Sequence, residues 1–143
     1  MKEICKIKKL RKIYHDTNGE TLAVSDFSIA INEGDFIALV GPSGCGKSTI
    51  LSMLSGVTSV TDGEISFSKD NPVTAYMLQN DTLFPWLTIE GNTLIGVKLK
   101  GKDNEYLKHY AKHLIKSYGL EDFKKKLPGS LSGGMKQRVD CIH

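Results

Sequence analysis

Apolar positions fall into several distinct patterns along the chain. Near the start, Ile4, Ile7, Leu10 and Ile13 recur at every third position. That spacing matches neither the alternation of a half-buried strand nor the stripe of a helix. Asp16-Thr17-Asn18-Gly19 is a turn sequence, and residues 21–31 alternate in part before Asn32-Glu33-Gly34. The opening is therefore predicted as two strands joined by a turn. Residues 36–40 (Phe-Ile-Ala-Leu-Val) are continuously apolar, which predicts a strand covered on both faces. Lys47–Leu54 has helical spacing at Ile50, Leu51 and Leu54, with Gly56 as its stop. Residues 63–67 and 75–78 are short strand candidates. From about Asp103 to Tyr118, Leu107, Tyr110, Ala111, Leu114, Ile115 and Tyr118 line one helical face, and Gly119 ends it. No internal repeat or low-complexity segment interrupts the chain.

Length and composition narrow this picture. The 143 residues suffice for one hydrophobic core. With 40% hydrophobic and 24% charged residues, the chain belongs with folded globular proteins rather than disordered ones. The net charge of +3 is too small to argue for a nucleic-acid partner. The basic runs at Lys2, Lys6, Lys8, Lys9, Arg11 and Lys12, and at Lys124, Lys125 and Lys126, are expected to be solvated faces. The basic start lacks the apolar stretch of a secretory signal. Residues 36–40 are far too few to span a bilayer, so membrane association is expected to come through a partner. Three scattered cysteines, Cys5, Cys45 and Cys141, form neither a disulfide framework nor a zinc spacing, and a reducing cytosol suits them. His109 and His113 lie four apart on the helical segment, off its apolar stripe, and are read as exposed residues rather than ligands.

Candidate chemistry begins where the apolar run ends. Gly41-Pro42-Ser43-Gly44-Cys45-Gly46-Lys47-Ser48 matches the nucleotide-binding pattern G-x-x-x-x-G-K-[ST] in full. Polyphosphate is a dense anion, and backbone N–H groups surround it only where the chain turns without obstructing side chains. Gly41, Gly44 and Gly46 permit such a turn. The helix that follows aims its unpaired donors and partial positive charge at the phosphates. Lys47 adds a full charge, the Ser48 hydroxyl is a hard oxygen ligand for Mg²⁺, and Thr49 completes the helix start. Gly41, Pro42, Ser43, Gly44, Cys45, Gly46, Lys47, Ser48 and Thr49 are thus the candidate site for ATP. The competing reading is a chance glycine-rich turn. The strand predicted before it and the helix after it favour nucleotide binding.

A second motif restricts the class. Leu131-Ser132-Gly133-Gly134-Met135-Lys136-Gln137-Arg138 places a good N-cap and two glycines before a helix, so its open amides can grip a terminal phosphate. This sequence resembles the signature of ABC transporter ATP-binding subunits. The resemblance implies an α/β fold of the ABC-type P-loop NTPase class, with a mixed sheet around the phosphate loop, antiparallel front strands and a helical subdomain. It implies that Ser132, Gly133 and Gly134 act in trans on ATP held by a partner subunit, in a homodimer or pseudo-dimer with two ATP molecules sandwiched at its interface. It further implies transmembrane permease subunits, an extracytoplasmic solute-binding protein acting indirectly, no nucleic acid, and a cytoplasmic, peripheral location on the inner membrane face. A soluble family member acting in DNA repair or translation is disfavoured by the short helical insertion.

On the same resemblance, Tyr14 takes the place of an aromatic ring that stacks on adenine, with a packed strand tyrosine as the alternative. Gln79 takes the place of a glutamine that touches Mg²⁺ and the attacking water. The stretch Leu83-Phe84-Pro85-Trp86 looks like the nitrate, sulfonate and taurine importer branch. Phe84 and Trp86 either meet a short helix of a membrane subunit or fill the subdomain's own core. The corresponding division of the chain is 1–80 for front strands and phosphate-loop core, 81–130 for the helical subdomain, and 131–143 for the signature and a shortened helix. The family also uses an apolar strand ending in Asp-Glu, whose glutamate is the general base, and a later histidine. Neither is found within these residues, Asp140 interrupts the expected helix face, and His143 follows Arg138 too closely to lie on a separate strand. The chain is accordingly read as missing its C-terminal strands, with a non-hydrolysing nucleotide-binding fragment as the alternative to an active importer subunit.

Overall fold

The computed structural model describes residues 2–17, 19–70, 72–80, 82–99, 101 and 105–142. The predicted start of the long helix at Asp103, and His143, lie outside the described residues. The chain divides into two compact units, residues 1–76 and 77–143.

In the first unit, strands β1 (Glu3–Asp16) and β2 (Gly19–Asn32) form an antiparallel hairpin, as the turn sequence predicts. Strand β3 (Asp62–Phe67) pairs antiparallel with the other edge of β1, giving the order β2-β1-β3. The puzzling threefold spacing of β1 is an alternation broken by one extra residue. Cys5 and Ile7 face the core, then Leu10 and Lys12 do so. Between them the register shifts, because Ile7 pairs with Ile29 whereas Leu10 pairs with Phe27. The extra residue is Lys9, whose φ of 47° and N–H to Ser28 Oγ at 2.8 Å mark a β-bulge. Helix α1 (Lys47–Leu54) lays Ile50 and Met53 into this core beside Cys5, Ile7, Leu10 and Val24. Each such apolar side chain contributes about 1.5–3 kcal/mol when fully buried.

Lys12 departs from the expected solvated face. Its side chain is buried, and its ammonium donates to Ser59 O at 2.7 Å and Ser59 Oγ at 3.4 Å. The apolar stem lies with the core while the charge finds oxygen acceptors.

Two predicted strands are corrected. Residues 36–40 form no strand among the described residues, and Phe36 and Val40 are 97% and 94% exposed. Only Leu39 packs against the core. A doubly covered strand needs hydrogen-bonded neighbours, and β1, β2 and β3 bond among themselves. Residues 75–78 likewise form no strand, leaving Met77 and Leu78 exposed.

The second unit is helical. Helices α2 (Ile89–Leu99), α3 (Glu105–Ser117) and α4 (Gly133–Asp140) surround Leu83, Ile89, Ile115, Leu120, Leu131, Val139 and Ile142. Helix α3 presents the predicted stripe through Ala111, Leu114 and Ile115, but Tyr110 and Tyr118 lie at its exposed margins. It stops at Gly119, with φ of 70°. Arg138 of α4 donates to the Tyr118 carbonyl at 2.9 Å, satisfying a terminal acceptor of α3. The first amides of α2 donate to the carbonyls of Lys124 and Lys126, both at 3.0 Å. No described helix is long and apolar enough to cross a membrane.

Candidate functional site

The phosphate loop occupies residues 41–46 and turns directly into α1. Gly46 is the N-cap with φ of 90°, and no side chain caps the helix. The first-turn amides therefore face outward without a side-chain acceptor, which is the donor arrangement an anion requires. Gly46 is dictated twice over. Its φ disfavours any L side chain, and a Cβ would lie 2.3 Å from Ala23 O and 3.0 Å from Val24 Cγ2. The loop thus rests on the backbone of β2. A Cβ on Gly44 would meet open space, so nothing crowds an incoming group there.

The Lys47 ammonium turns back over the loop, donating to Gly41 O at 2.8 Å, Pro42 O at 2.7 Å and Cys45 Sγ at 3.3 Å. The Cys45 side chain turns in over the loop. Its Sγ lies beside Lys47 and is the atom a Cβ on Gly41 would strike at 2.7 Å. Ser43 and Ser48 are exposed and Thr49 is half-buried. The Tyr76 hydroxyl donates to the Ser48 carbonyl at 3.5 Å. The outward amides, the ammonium held over the loop and the exposed Ser48 hydroxyl fit a polyphosphate with its divalent cation.

Tyr14 lies on β1 opposite Thr21 and is 43% exposed. The Lys12 ammonium sits 5.1 Å from its ring centroid, a cation–π contact. A large cavity of about 580 Å³ in this unit, lined by Ile4, Ile31, Leu51, Leu54, Phe67 and Val73 among others, includes none of the candidate site residues.

In the second unit, Ser132 is the N-cap of α4 and its Oγ accepts from the Met135 amide at 3.4 Å. Gly133 and Gly134 form the first turn, with open space where each Cβ would be. Backbone amides there are thus accessible. Gln79 is exposed in a bend. Neither ring of the Phe84-Pro85-Trp86 stretch joins the buried core, which takes Leu83 instead. Phe84 is half-buried, Trp86 is 71% exposed, and their centroids are 5.5 Å apart.

Sequence reasoning missed the residue that shapes this stretch. Asn92 on α2 is completely buried. Its Oδ1 accepts from Phe84 N at 2.7 Å, and its Nδ2 donates to the carbonyls of Phe84, Leu87 and Thr88 at 3.2, 3.1 and 3.1 Å. One amide thereby fastens the turn that carries Trp86. An asparagine set between Ile89 and Leu94 was the available signal, since a buried amide must be satisfied. Asp140 was also underrated, because its carboxylate binds Thr82.

Comparison with known proteins adds an independent line. The family model described as "ABC transporter" matches residues 24–142. The chain is 42% identical over 131 residues to an uncharacterized ABC transporter ATP-binding protein, YtlC, of Bacillus subtilis (strain 168), covering 88% of this chain and 50% of that protein. It is 34% identical over 138 residues to the aliphatic sulfonates import ATP-binding protein SsuB of Bacillus cereus (strain ZK / E33L), covering 93% of this chain and 54% of the relative. The ATP-binding cassette MJ0796, solved as a dimer in a post-hydrolysis state bound to ADP and Pi, superposes with a TM-score of 0.83 at 27% identity, covering 97% of this chain and 68% of that one. The chain spans about half the length of the curated relatives it matches.

Proposed function

We propose that this chain, which belongs to the ABC transporter family, is the ATP-binding part of an importer that couples nucleotide binding to passage of a small anionic or sulfonate-like solute. The observation that carries this reading is the phosphate loop, with outward amides at the start of α1 and the charge of Lys47 held over it. ATP is the expected ligand, held by Gly41 to Thr49, with Tyr14 stacking on adenine. The Lys12 ammonium beside Tyr14 leaves the ring only one face for a base.

Mg²⁺ supplies charge neutralisation of the β- and γ-phosphates when bound, and Ser48 and Gln79 are the residues that would hold it. Ser132, Gly133 and Gly134 present their amides to a nucleotide on a second ATP-binding subunit, in a head-to-tail dimer. The exposed Trp86, on a turn fixed by Asn92, suits a permease contact at the inner face of the membrane. The functional division proposed is 1–80 for the nucleotide core, 81–130 for the helical part and 131–143 for the signature. The solute reading is supported by the Leu83-Phe84-Pro85-Trp86 stretch and by the sulfonate-importing relative.

These 143 residues include no apolar strand ending in Asp-Glu, so binding without turnover is expected of them alone. Fluorescent-nucleotide titration with Mg²⁺ is expected to show weak saturable binding that Lys47→Ala abolishes. Equal binding by Lys47→Ala would refute the site. Steady ATP turnover that disappears in the same variant would refute the expectation of binding alone.

A further inference from the structure

We propose that Asp140 is a positioning residue for Gln79, holding the glutamine's segment to the end of the signature helix. This rests on the reading that Gln79 serves the Mg²⁺ nucleotide site.

Gln79 lies in an exposed bend. Residues 77–80 are all exposed and form neither helix nor strand. The segment is instead tied on both sides of Gln79 to the last turn of α4. On the C-terminal side, Thr82 donates to Asp140 Oδ1 twice, from its backbone N–H at 3.2 Å and from its hydroxyl at 3.0 Å. On the N-terminal side, the Cys141 thiol donates to the Met77 thioether, with the sulfur atoms 3.7 Å apart. Asp140, the last residue of α4, and Cys141, its C-cap, thus bracket a short segment with Gln79 inside it.

The anchor itself is firm. Val139, just before the pair, is fully buried, and Ile142, just after it, is 8% exposed. Arg138 ties the same turn to the end of α3. A carboxylate is suited to this task because one oxygen accepts both Thr82 donors, and charge-assisted bonds are stronger than neutral ones. The Met77 contact is softer and adds direction more than strength.

The consequence is that Gln79 follows the helix beginning at Ser132 and its two glycines. A displacement of α4 would carry the glutamine with it, so the signature turn and the Mg²⁺-sensing amide behave as one body. The Asp140 side chain, which breaks the apolar face expected of this helix, is thereby accounted for as the acceptor of the latch.

The test uses the full 143-residue chain. Hydrogen–deuterium exchange of the peptide covering 77–84 is compared in wild type, Asp140→Ala, Asp140→Asn and Thr82→Val. Asp140→Ala is expected to speed exchange there roughly tenfold, with α1 and α3 unchanged. Asp140→Asn retains an acceptor oxygen and should restore most of the protection. Thr82→Val removes one donor at an exposed position and should give an intermediate effect. Alongside, the ratio of Mg-ATP to Mg-free ATP affinity should fall in Asp140→Ala as it does in Gln79→Ala, while Mg-free affinity stays constant. Unchanged exchange in Asp140→Ala, or loss of protection throughout 77–142, would overturn the latch. A Gln79→Ala variant with an unaltered Mg²⁺ ratio would instead overturn the underlying reading of Gln79, and with it the positioning role.

Discussion

Individual residues differ sharply in how far the sequence declares them. Gly46 is legible from the motif alone, and the structure adds the contact with Ala23 O that no motif encodes. Lys47 and Ser48 are legible for the same reason, because phosphate chemistry demands those groups at that spacing. Asp140 and Lys12 are not, because their partners lie far along the chain and only the fold brings them together, while Asn92 depends on the turn just before its helix. Glu121 is the local counterpart, since its partner Lys124 lies three residues along the same stretch. A hydrogen bond from Lys124 is the main influence holding its carboxyl below the ordinary range, helped by the charges of Lys116 and Lys112. The lowered value means that any stabilisation is present above the unfolded carboxylate range and is lost as pH falls through the folded value. In an NMR titration, Lys124→Ala is expected to move the Glu121 midpoint upward. Because the pair is exposed, little change in overall stability should accompany it.

Elements were read well where the pattern was periodic and poorly where tertiary contacts decide. Helices α1 and α3 follow from their spacing. The bulge at Lys9 disguised β1, since one inserted residue sets the buried Ile7 and Leu10 three apart, while Ile4 lies off the core face. Helix α2 was invisible, because Gly91, Asn92, Thr93 and Gly96 are weak helix formers. It forms because its first amides find the Lys124 and Lys126 carbonyls and because Ile89 and Leu94 are buried. Asn92 then joins the helix to the turn before it. Asn92→Ala is expected to cost about 1–3 kcal/mol by removing the acceptor of the Phe84 amide and the side-chain donor to the Leu87 carbonyl, while the Phe84 and Thr88 carbonyls keep backbone donors. Chemical denaturation would show this as a lower midpoint, and the single tryptophan, Trp86, would report the loosened turn by a change in emission before global unfolding. An unchanged midpoint together with unchanged emission would contradict the clamp.

At the level of the whole molecule, the family was legible from two short motifs, while the sheet was not legible in detail. The run at 36–40 has the composition of a covered strand, yet Phe36 and Val40 are almost fully exposed, and Val73 is exposed as well. Composition records which residues favour burial and cannot record which neighbours are at hand to bury them. Exposed apolar side chains of this size promote association. Light scattering is expected to show concentration-dependent self-association at neutral pH, reduced by Phe36→Lys or Val40→Lys. Lack of any effect from either substitution would show that this run is not the sticky surface. Because the chain spans about half the length of its curated relatives, the behaviour of this surface is a property of these residues and is not transferred to the longer proteins.

The seat of Gly46 on Ala23 reaches beyond nucleotide chemistry. Since the loop lies directly on β2, that strand serves as a gauge for where the loop stands. Removing one residue from β2 would slide the gauge and turn its inward side chains outward, spoiling the loop without altering a letter of its motif. The connection between β1 and β2 is the natural place to splice in a tag or to open a circularly permuted chain. The tolerance of this protein to rearrangement is therefore set by a glycine that lies beyond the end of the strand it constrains.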